Sequence, residues 1–124
     1  SKFVIDRVIE QVVIVADKRK FVSALIVPAK DALQRYAAEK GISVDTYAEL
    51  CQHPKIVKMV AERIETLQQD LAHYEQVKRF TLLAKPFTME AGEMTNTLKT
   101  KRRVVYEHYA AQIDKMYADA EAKA

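Results

Sequence analysis

Two apolar runs near the start of the chain constrain its fold more than any other feature. Residues 10–16 form a continuous stretch rich in β-branched side chains, and residues 21–27 form a second one. Only Asp17, Lys18, Arg19 and Lys20 separate them, so the pattern predicts two strands joined as a hairpin. Pro28 ends the second strand, because proline has no amide hydrogen to donate to a neighbouring strand.

Helical spacing of apolar residues follows the predicted hairpin. Residues 29–40 carry Ala and Leu at helical intervals, and Gly41 supplies the left-handed residue that commonly ends a helix. Ser43 is expected to cap a short helix that runs through Leu50. Pro54 then begins a longer helix, since proline fits the first helical turn.

The helix that begins at Pro54 is expected to reach Ala72 or Tyr74. Its apolar residues recur at steps of four and three, with polar residues between them. This stripe is too short for a coiled coil, which needs about three to four heptads, so it predicts a helix that faces the core. The stripe consists of Val60, Ile64, Leu67, Leu71 and Tyr74.

The last third of the chain adds one strand and one helix to the prediction. Residues 78–83 return to strand character, and residues 101–117 place apolar side chains along one side of a helix. Residues 119–124 form a small charged tail that is expected to fray. The sum is an α+β domain, in which a small sheet of about three strands is packed by helices.

Composition limits the classes of function. The chain has 124 residues, which suit one domain, and its net charge of +3 is smaller than nucleic-acid binders usually show. The single Cys51 excludes an internal disulfide and is expected to be a buried structural thiol. Cys51 and His53 lie close in sequence, but His73 and His108 are distant, so no metal-ligand spacing is present. The longest apolar run, 12–16, is far shorter than the roughly 20 residues of a membrane span.

The segment 92–103 carries the strongest functional signal. Gly92 begins a loop that contains Thr95 and Thr97, and four basic residues follow within or just after it. Lys99 is predicted to lie at or just before the junction between this loop and the last helix, where its ammonium would suit an anionic partner. Neither a nucleophile with a nearby base nor a phosphate-binding glycine loop is found. The residues therefore predict a domain that contributes one charged group to a site built mostly elsewhere.

Two other classes of function remain open at this point. A nucleic-acid-binding domain could use the cations, although Tyr and Phe residues are not clustered with them as a stacking platform requires. A helical protein-interaction domain could instead bind partners through the 60–74 stripe. The cations in question are Lys78, Arg79, Lys99, Lys101, Arg102 and Arg103.

The segment 92–104, Gly-Glu-Met-Thr-Asn-Thr-Leu-Lys-Thr-Lys-Arg-Arg-Val, resembles the last core motif of the AMP-forming acyl-CoA synthetases, in the version of the long-chain fatty-acid ligases. Residues 11–28 are similar to the first hairpin of that family's C-terminal domain, and residues 75–83 to its third strand. The resemblance covers nearly the whole chain in the same order. It implies that residues 1–124 are the mobile C-terminal lid of a larger two-domain enzyme, and a start without methionine also suggests a piece of a longer chain.

The resemblance implies a specific activity for that larger enzyme. A fatty acid, ATP and CoA would react through an acyl adenylate, with the N-terminal adenylation domain of the same chain as partner and magnesium bound there. By position, Lys99 matches the lysine that enters the adenylation site, and Lys101 is the alternative if the alignment shifts by two residues. The family also implies a cytoplasmic location with loose membrane association.

Some positions near Lys99 depart from the common family pattern. Leu98 stands where many other adenylating enzymes have glycine, which favours the long-chain branch, and Asn96 stands where proline is common. Lys101, Arg102 and Arg103 would by default be a solvated helix start. Their alternative partners are the phosphates of CoA, for which Lys101 and Arg102 are the candidates, or an anionic membrane surface.

Overall fold

The computed structural model describes residue 3 and residues 6–122 as one sheet with helices on both of its faces. Two strands come first, and three α-helices lead from the second strand to the third. A long loop and two final helices complete the chain. In order, the elements are β1 (Ile9–Val15), β2 (Val22–Pro28), α1 (Lys30–Lys40), α2 (Tyr47–Gln52), α3 (Pro54–Leu67), β3 (Val77–Leu82), α4 (Arg102–His108) and α5 (Ala110–Ala122).

The sheet is mixed, with the strand order β1-β2-β3. The predicted hairpin is confirmed: β1 and β2 pair antiparallel, with Val13 opposite Leu25, and Pro28 is the last residue of β2. Strand β3 joins the other edge of β2 in parallel, with Ala24 opposite Phe80. The third strand and the α+β class are therefore also confirmed.

The central strand explains why residues 21–27 are apolar without alternation. Successive side chains of a strand point to opposite faces of the sheet, and β2 is covered on both. Ala24 and Ile26 are buried beneath α1 and α3, while Leu25 and Val27 are buried on the other face beneath α4 and α5. Each of the two faces therefore supports its own apolar core.

The helix ends that sequence signals predict are partly confirmed. Gly41 ends α1 in the left-handed conformation, with φ of 67°, and Pro54 begins α3. The predicted cap at Ser43 is wrong, because α2 begins later and Thr46 caps it by accepting a hydrogen bond from the Glu49 amide at 3.1 Å. Cys51 lies in this helix and is buried, as predicted.

The predicted end of α3 at Ala72 or Tyr74 is wrong, since the helix ends at Leu67. The next residue, Gln68, is 1% exposed, and its side chain bonds both backbone groups of Val77, accepting at 2.8 Å and donating at 3.1 Å. These two bonds connect the C-cap residue of α3 to the start of β3. Within the stripe, Val60 and Ile64 are buried in the core, which confirms that the helix faces inward.

The single predicted helix 101–117 is two helices. Tyr109 separates α4 from α5 and has φ of −114°, outside the helical range. Val105 and Ile113 nevertheless enter the same buried cluster, so the predicted apolar side is correct. Helix α5 continues to Ala122, beyond the point at which the tail was expected to begin.

Candidate functional site

The segment around Lys99 is a small β-hairpin rather than an irregular loop. Met94 and Thr100 form an antiparallel bridge, and the chain reverses between them. We call residues 93–101 the Lys99 hairpin; its tip is Asn96, Thr97 and Leu98. The hairpin stands between β3 and α4, and the structure places Lys99 three residues before α4 begins.

Threonine side chains close the turn of the Lys99 hairpin. The Thr95 amide donates to the Lys99 carbonyl at 2.8 Å, and the Leu98 amide donates to the Thr95 carbonyl at 3.0 Å. The Lys99 amide donates to Thr95 Oγ1 at 3.1 Å, and that hydroxyl lies 3.0 Å from Thr97 Oγ1. Thr95 thus fixes the backbone on both sides of the tip and defines where Lys99 leaves the turn.

Leu98 occupies the strained position of this turn. Its φ is 62°, in the left-handed region that suits the last residue of a three-residue hairpin loop, where glycine is usual. A side chain with a Cβ atom adopts that conformation at a cost of about 1–2 kcal/mol. Leu98 is also 69% exposed, so the described residues cover it only in part.

A buried carboxylate holds the base of the hairpin. Glu93 is 5% exposed; its amide donates to the Thr88 carbonyl at 3.0 Å, and its carbonyl accepts from the Lys101 amide at 2.7 Å. Its Oε1 accepts from the Thr88 amide at 3.3 Å, and its Oε2 lies 2.8 Å from Nδ1 of His108 on α4. Burial, with a smaller contribution from the negative charge of Glu93, raises the pKa of Tyr109. One residue therefore connects both ends of the hairpin to α4.

A second connection joins the hairpin to the sheet. The Gln11 side chain on β1 accepts from the Phe87 amide at 2.7 Å and donates to the Phe87 carbonyl at 3.2 Å. The same amide nitrogen lies 3.3 Å from the sulfur of Met94 at the first strand of the hairpin. The loop that carries Lys99 is thus fastened to β1 at one end and to α4 at the other.

The basic residues of this segment are exposed, whereas its acidic residue is buried. Lys99, Lys101, Arg102 and Arg103 are all exposed, and Glu93, the only acidic residue among residues 93–101, is buried. Lys101 occupies the N-cap of α4 and Arg102 its first turn. Within the described residues, no hydrogen bond or ion pair engages the Lys99 ammonium. The hairpin therefore presents a free cation on a rigid backbone.

The described residues place a groove away from the Lys99 hairpin and offer no metal site. A groove of about 630 Å³ lies along β3 and α5, and none of its lining residues belongs to the hairpin. Over residue 3 and residues 6–122, no group of three or more His, Cys, Asp or Glu side chains could hold a metal ion. Nor does any helix in those ranges combine the length and the apolar character that a membrane crossing requires.

The cations and the threonines of the hairpin can be found in the sequence, but the residues that position them cannot. Glu93 and His108 are separated by fifteen residues, and Gln11 lies 76 residues from Phe87. No periodicity or motif spacing connects such residues. Only the position of Glu93 directly after the loop glycine could have drawn attention to it.

Comparison with known proteins shows a consistent set of relatives. A family model for the AMP-binding enzyme C-terminal domain matches residues 3–121. The long-chain-fatty-acid–CoA ligase FadD15 of Mycobacterium tuberculosis is 32% identical over 113 residues, which cover 88% of this chain and 18% of that protein. Long chain acyl-CoA synthetase 8 of Arabidopsis thaliana is 33% identical over 97 residues, covering 77% of this chain and 14% of that protein. The chain thus spans less than a fifth of the length of these relatives.

Solved structures share the fold. The A-PCP didomain of carboxylic acid reductase from Segniliparus rugosus, solved in complex with AMP, superposes with a TM-score of 0.74 at 20% identity, covering 95% of this chain and 15% of that one. The adenylation domain of a carboxylate reductase from Mycobacterium chelonae gives a TM-score of 0.71 at 23% identity, covering 90% and 16%. At these identities the likeness establishes the arrangement of strands and helices.

Proposed function

Because the chain belongs to the AMP-binding enzyme C-terminal domain family, we propose that it is the mobile lid of a larger long-chain fatty-acid CoA ligase. Its partner is the N-terminal adenylation domain of the same polypeptide. Fatty-acid CoA ligases among its relatives, at 31–33% identity, support this choice of activity. The lid would supply Lys99 to a site that the other domain builds.

The observation that carries the proposal is the presentation of Lys99. Its ammonium is exposed at a hairpin whose backbone is fastened by Thr95, Glu93 and Gln11. A long, flexible side chain reaches a distant site reproducibly only when its Cα atom is held in place. A free cation on a fixed backbone suits a role in which the whole domain moves and the lysine enters a separate site.

The first half-reaction joins the fatty acid to AMP. One oxygen of the fatty-acid carboxylate attacks the α-phosphorus of ATP, the bond between the α- and β-phosphates breaks, and pyrophosphate leaves with its electron pair. Negative charge builds on the α-phosphate oxygens as the new bond forms. The Lys99 ammonium would donate hydrogen bonds to these oxygens and to the carboxylate, which stabilises the transition state.

The second half-reaction transfers the acyl group to CoA. The thiolate attacks the acyl carbonyl carbon, the bond from that carbon to the phosphate oxygen breaks, and AMP leaves. Lys101 and Arg102, exposed at the start of α4, would contact the CoA phosphates in this step. Magnesium would bind the ATP phosphates within the adenylation domain, and no residue of this chain is assigned to it.

Separate assays of the two half-reactions in the full-length enzyme test the proposal. We expect Lys99→Ala to slow pyrophosphate release from ATP and fatty acid by about a hundred- to a thousandfold. Thioester formation from a supplied acyl adenylate should be retained. Lys101→Ala is the matched control, since it removes a neighbouring ammonium from the same strand and should leave pyrophosphate release intact.

The same variants distinguish the alternatives. If Lys101→Ala stops pyrophosphate release and Lys99→Ala does not, the catalytic lysine is Lys101. If neither substitution affects either half-reaction, the proposed function is wrong. The proposed CoA contact predicts that Lys101→Ala and Arg102→Ala raise KM for CoA more than KM for a CoA analogue without its 3′-phosphate.

A further inference from the structure

Leu98 combines two unfavourable features in one residue. Its backbone is in the left-handed conformation, with φ of 62°, and its apolar side chain is 69% exposed. An exposed leucine alone is ordinary in a folded protein. A leucine that is both largely exposed and held in a conformation that suits glycine is unfavourable on both counts.

Strain of this kind frequently marks a functional site, because the surrounding structure must be built to maintain it. Here the strain is maintained by the neighbours of Leu98. The Thr95 carbonyl accepts from the Leu98 amide at 3.0 Å, and Thr95 Oγ1 accepts from the Lys99 amide at 3.1 Å. These bonds fix the backbone on both sides of Leu98, so its side chain leaves the tip in a defined direction.

The position of Leu98 determines what it would meet. Adjacent Cα atoms are about 3.8 Å apart, so the Leu98 backbone comes close to a neighbouring domain whenever the Lys99 side chain enters that domain. The rest of the tip is polar, with Asn96 and Thr97 beside it. Leu98 is therefore the residue of the tip that can gain energy by leaving water.

We propose that Leu98 is a docking residue, which packs against an apolar wall of the adenylation domain when Lys99 enters the site. This inference rests on the proposed function. Burial of the leucine side chain would favour the closed arrangement of the two domains and would place the Lys99 backbone at a fixed distance from the reacting groups. Leu98 then acts through Lys99 as a positioning residue.

Variants that tolerate the left-handed backbone separate docking from folding. In the full-length enzyme, Leu98→Gly removes the side chain and Leu98→Asn replaces it with a polar one of similar size, and both residues suit positive φ. We expect each to keep or raise the urea midpoint of unfolding while lowering kcat for pyrophosphate release by about ten- to a hundredfold. Leu98→Met should recover most of that rate, because it restores an apolar side chain.

Two controls accompany these variants. Met89→Asn makes a comparable change at another exposed apolar residue, 49% exposed and outside the hairpin, and should leave pyrophosphate release unchanged. Thioester formation from a supplied acyl adenylate should be equally fast in the wild type and in every Leu98 variant.

Each other outcome contradicts the inference in a recognisable way. If Lys99→Ala stops pyrophosphate release but Leu98→Gly and Leu98→Asn do not slow it, Leu98 has no docking role and the proposed function stands. If neither Lys99→Ala nor Lys101→Ala has an effect, the proposed function fails and the inference fails with it; if only Lys101→Ala stops pyrophosphate release, the proposed function stands and the inference fails, because Leu98 would then position a lysine that does not act. If the loss in Leu98→Asn grows with the length of the fatty acid, the side chain contacts the substrate and not the wall of the domain.

Discussion

Replacement of Glu93 by alanine tests whether the buried carboxylate holds the Lys99 hairpin in place. The substitution removes the acceptor for the Thr88 amide at 3.3 Å and the partner of His108 Nδ1 at 2.8 Å. The backbone bonds of residue 93 to Thr88 and Lys101 can persist, since alanine keeps them. The experiment therefore isolates the contribution of the side chain.

The structure sets the expected size of the effect. A hydrogen bond to a charged group contributes about 1.5–3 kcal/mol, and the longer bond from the Thr88 amide about 0.5 kcal/mol. His108 is 42% exposed, so water can replace part of what it loses and the lower end of the range applies. We expect Glu93→Ala to lower the free energy of unfolding by about 2 kcal/mol.

Urea unfolding of the 124-residue chain measures this loss. With a slope of about 1–3 kcal/mol per molar urea, the midpoint should fall by about 0.7–2 M. Glu93→Gln should cost less than Glu93→Ala, because the amide oxygen keeps one acceptor in place. Glu107→Ala, at an exposed position of α4, is the control and should change the free energy by less than about 0.5 kcal/mol. A Glu93→Ala chain as stable as the Glu107→Ala chain would refute the reasoning.

Three further predictions concern the fold. Burial raises the pKa of the Cys51 thiol, so the unfolded chain loses this proton at a lower pH than the folded chain does. The free energy of unfolding should therefore fall as pH rises above about 8.5. Cys51→Ala should reduce that fall in urea titrations between about pH 8 and 9.5. Tyr117→Phe removes a buried hydroxyl that donates to the Phe21 carbonyl at 2.6 Å, and should cost about 1–1.5 kcal/mol in the same assay. Gly41→Ala should cost about 1 kcal/mol from backbone strain alone, since a Cβ atom there would meet nothing within 4 Å, and Gly41→Asn should cost less.

The elements that sequence patterns predicted correctly depend on local signals. Pro28 ends β2 and Gly41 ends α1 because each residue restricts or permits backbone conformations by its own covalent structure. The continuous apolar run of β2 likewise indicates burial on both faces of a sheet. Each of these signals lies within a few consecutive residues, so it can be recognised from the sequence alone.

The incorrect boundaries depend on contacts between distant residues. Gln68 is polar and falls among other polar residues, yet its side chain is buried and bonded to Val77. Tyr109 interrupts the last helix without a nearby proline or glycine, and its ring meets that of Phe87 edge-on at 6.1 Å. An apolar pattern at helical spacing indicates which side of a segment is buried, but it does not reveal the long-range contacts made by the residues at which a helix ends.

The Lys99 hairpin depends both on local sequence signals and on contacts between distant residues. Its lysine and threonines can be found in the sequence because their chemistry is local: the hydroxyl of Thr95 bonds the amide of Lys99, four residues away. Glu93 resembles any surface glutamate until the fold brings His108 of α4 against it at 2.8 Å and leaves it 5% exposed. A buried carboxylate is costly unless it is well bonded, so its presence at the base of an otherwise basic hairpin indicates that a fixed backbone matters there. Leu98 presents a similar case: its left-handed backbone and its exposure are unfavourable in the described structure, and the proposed docking against a second domain would offset them.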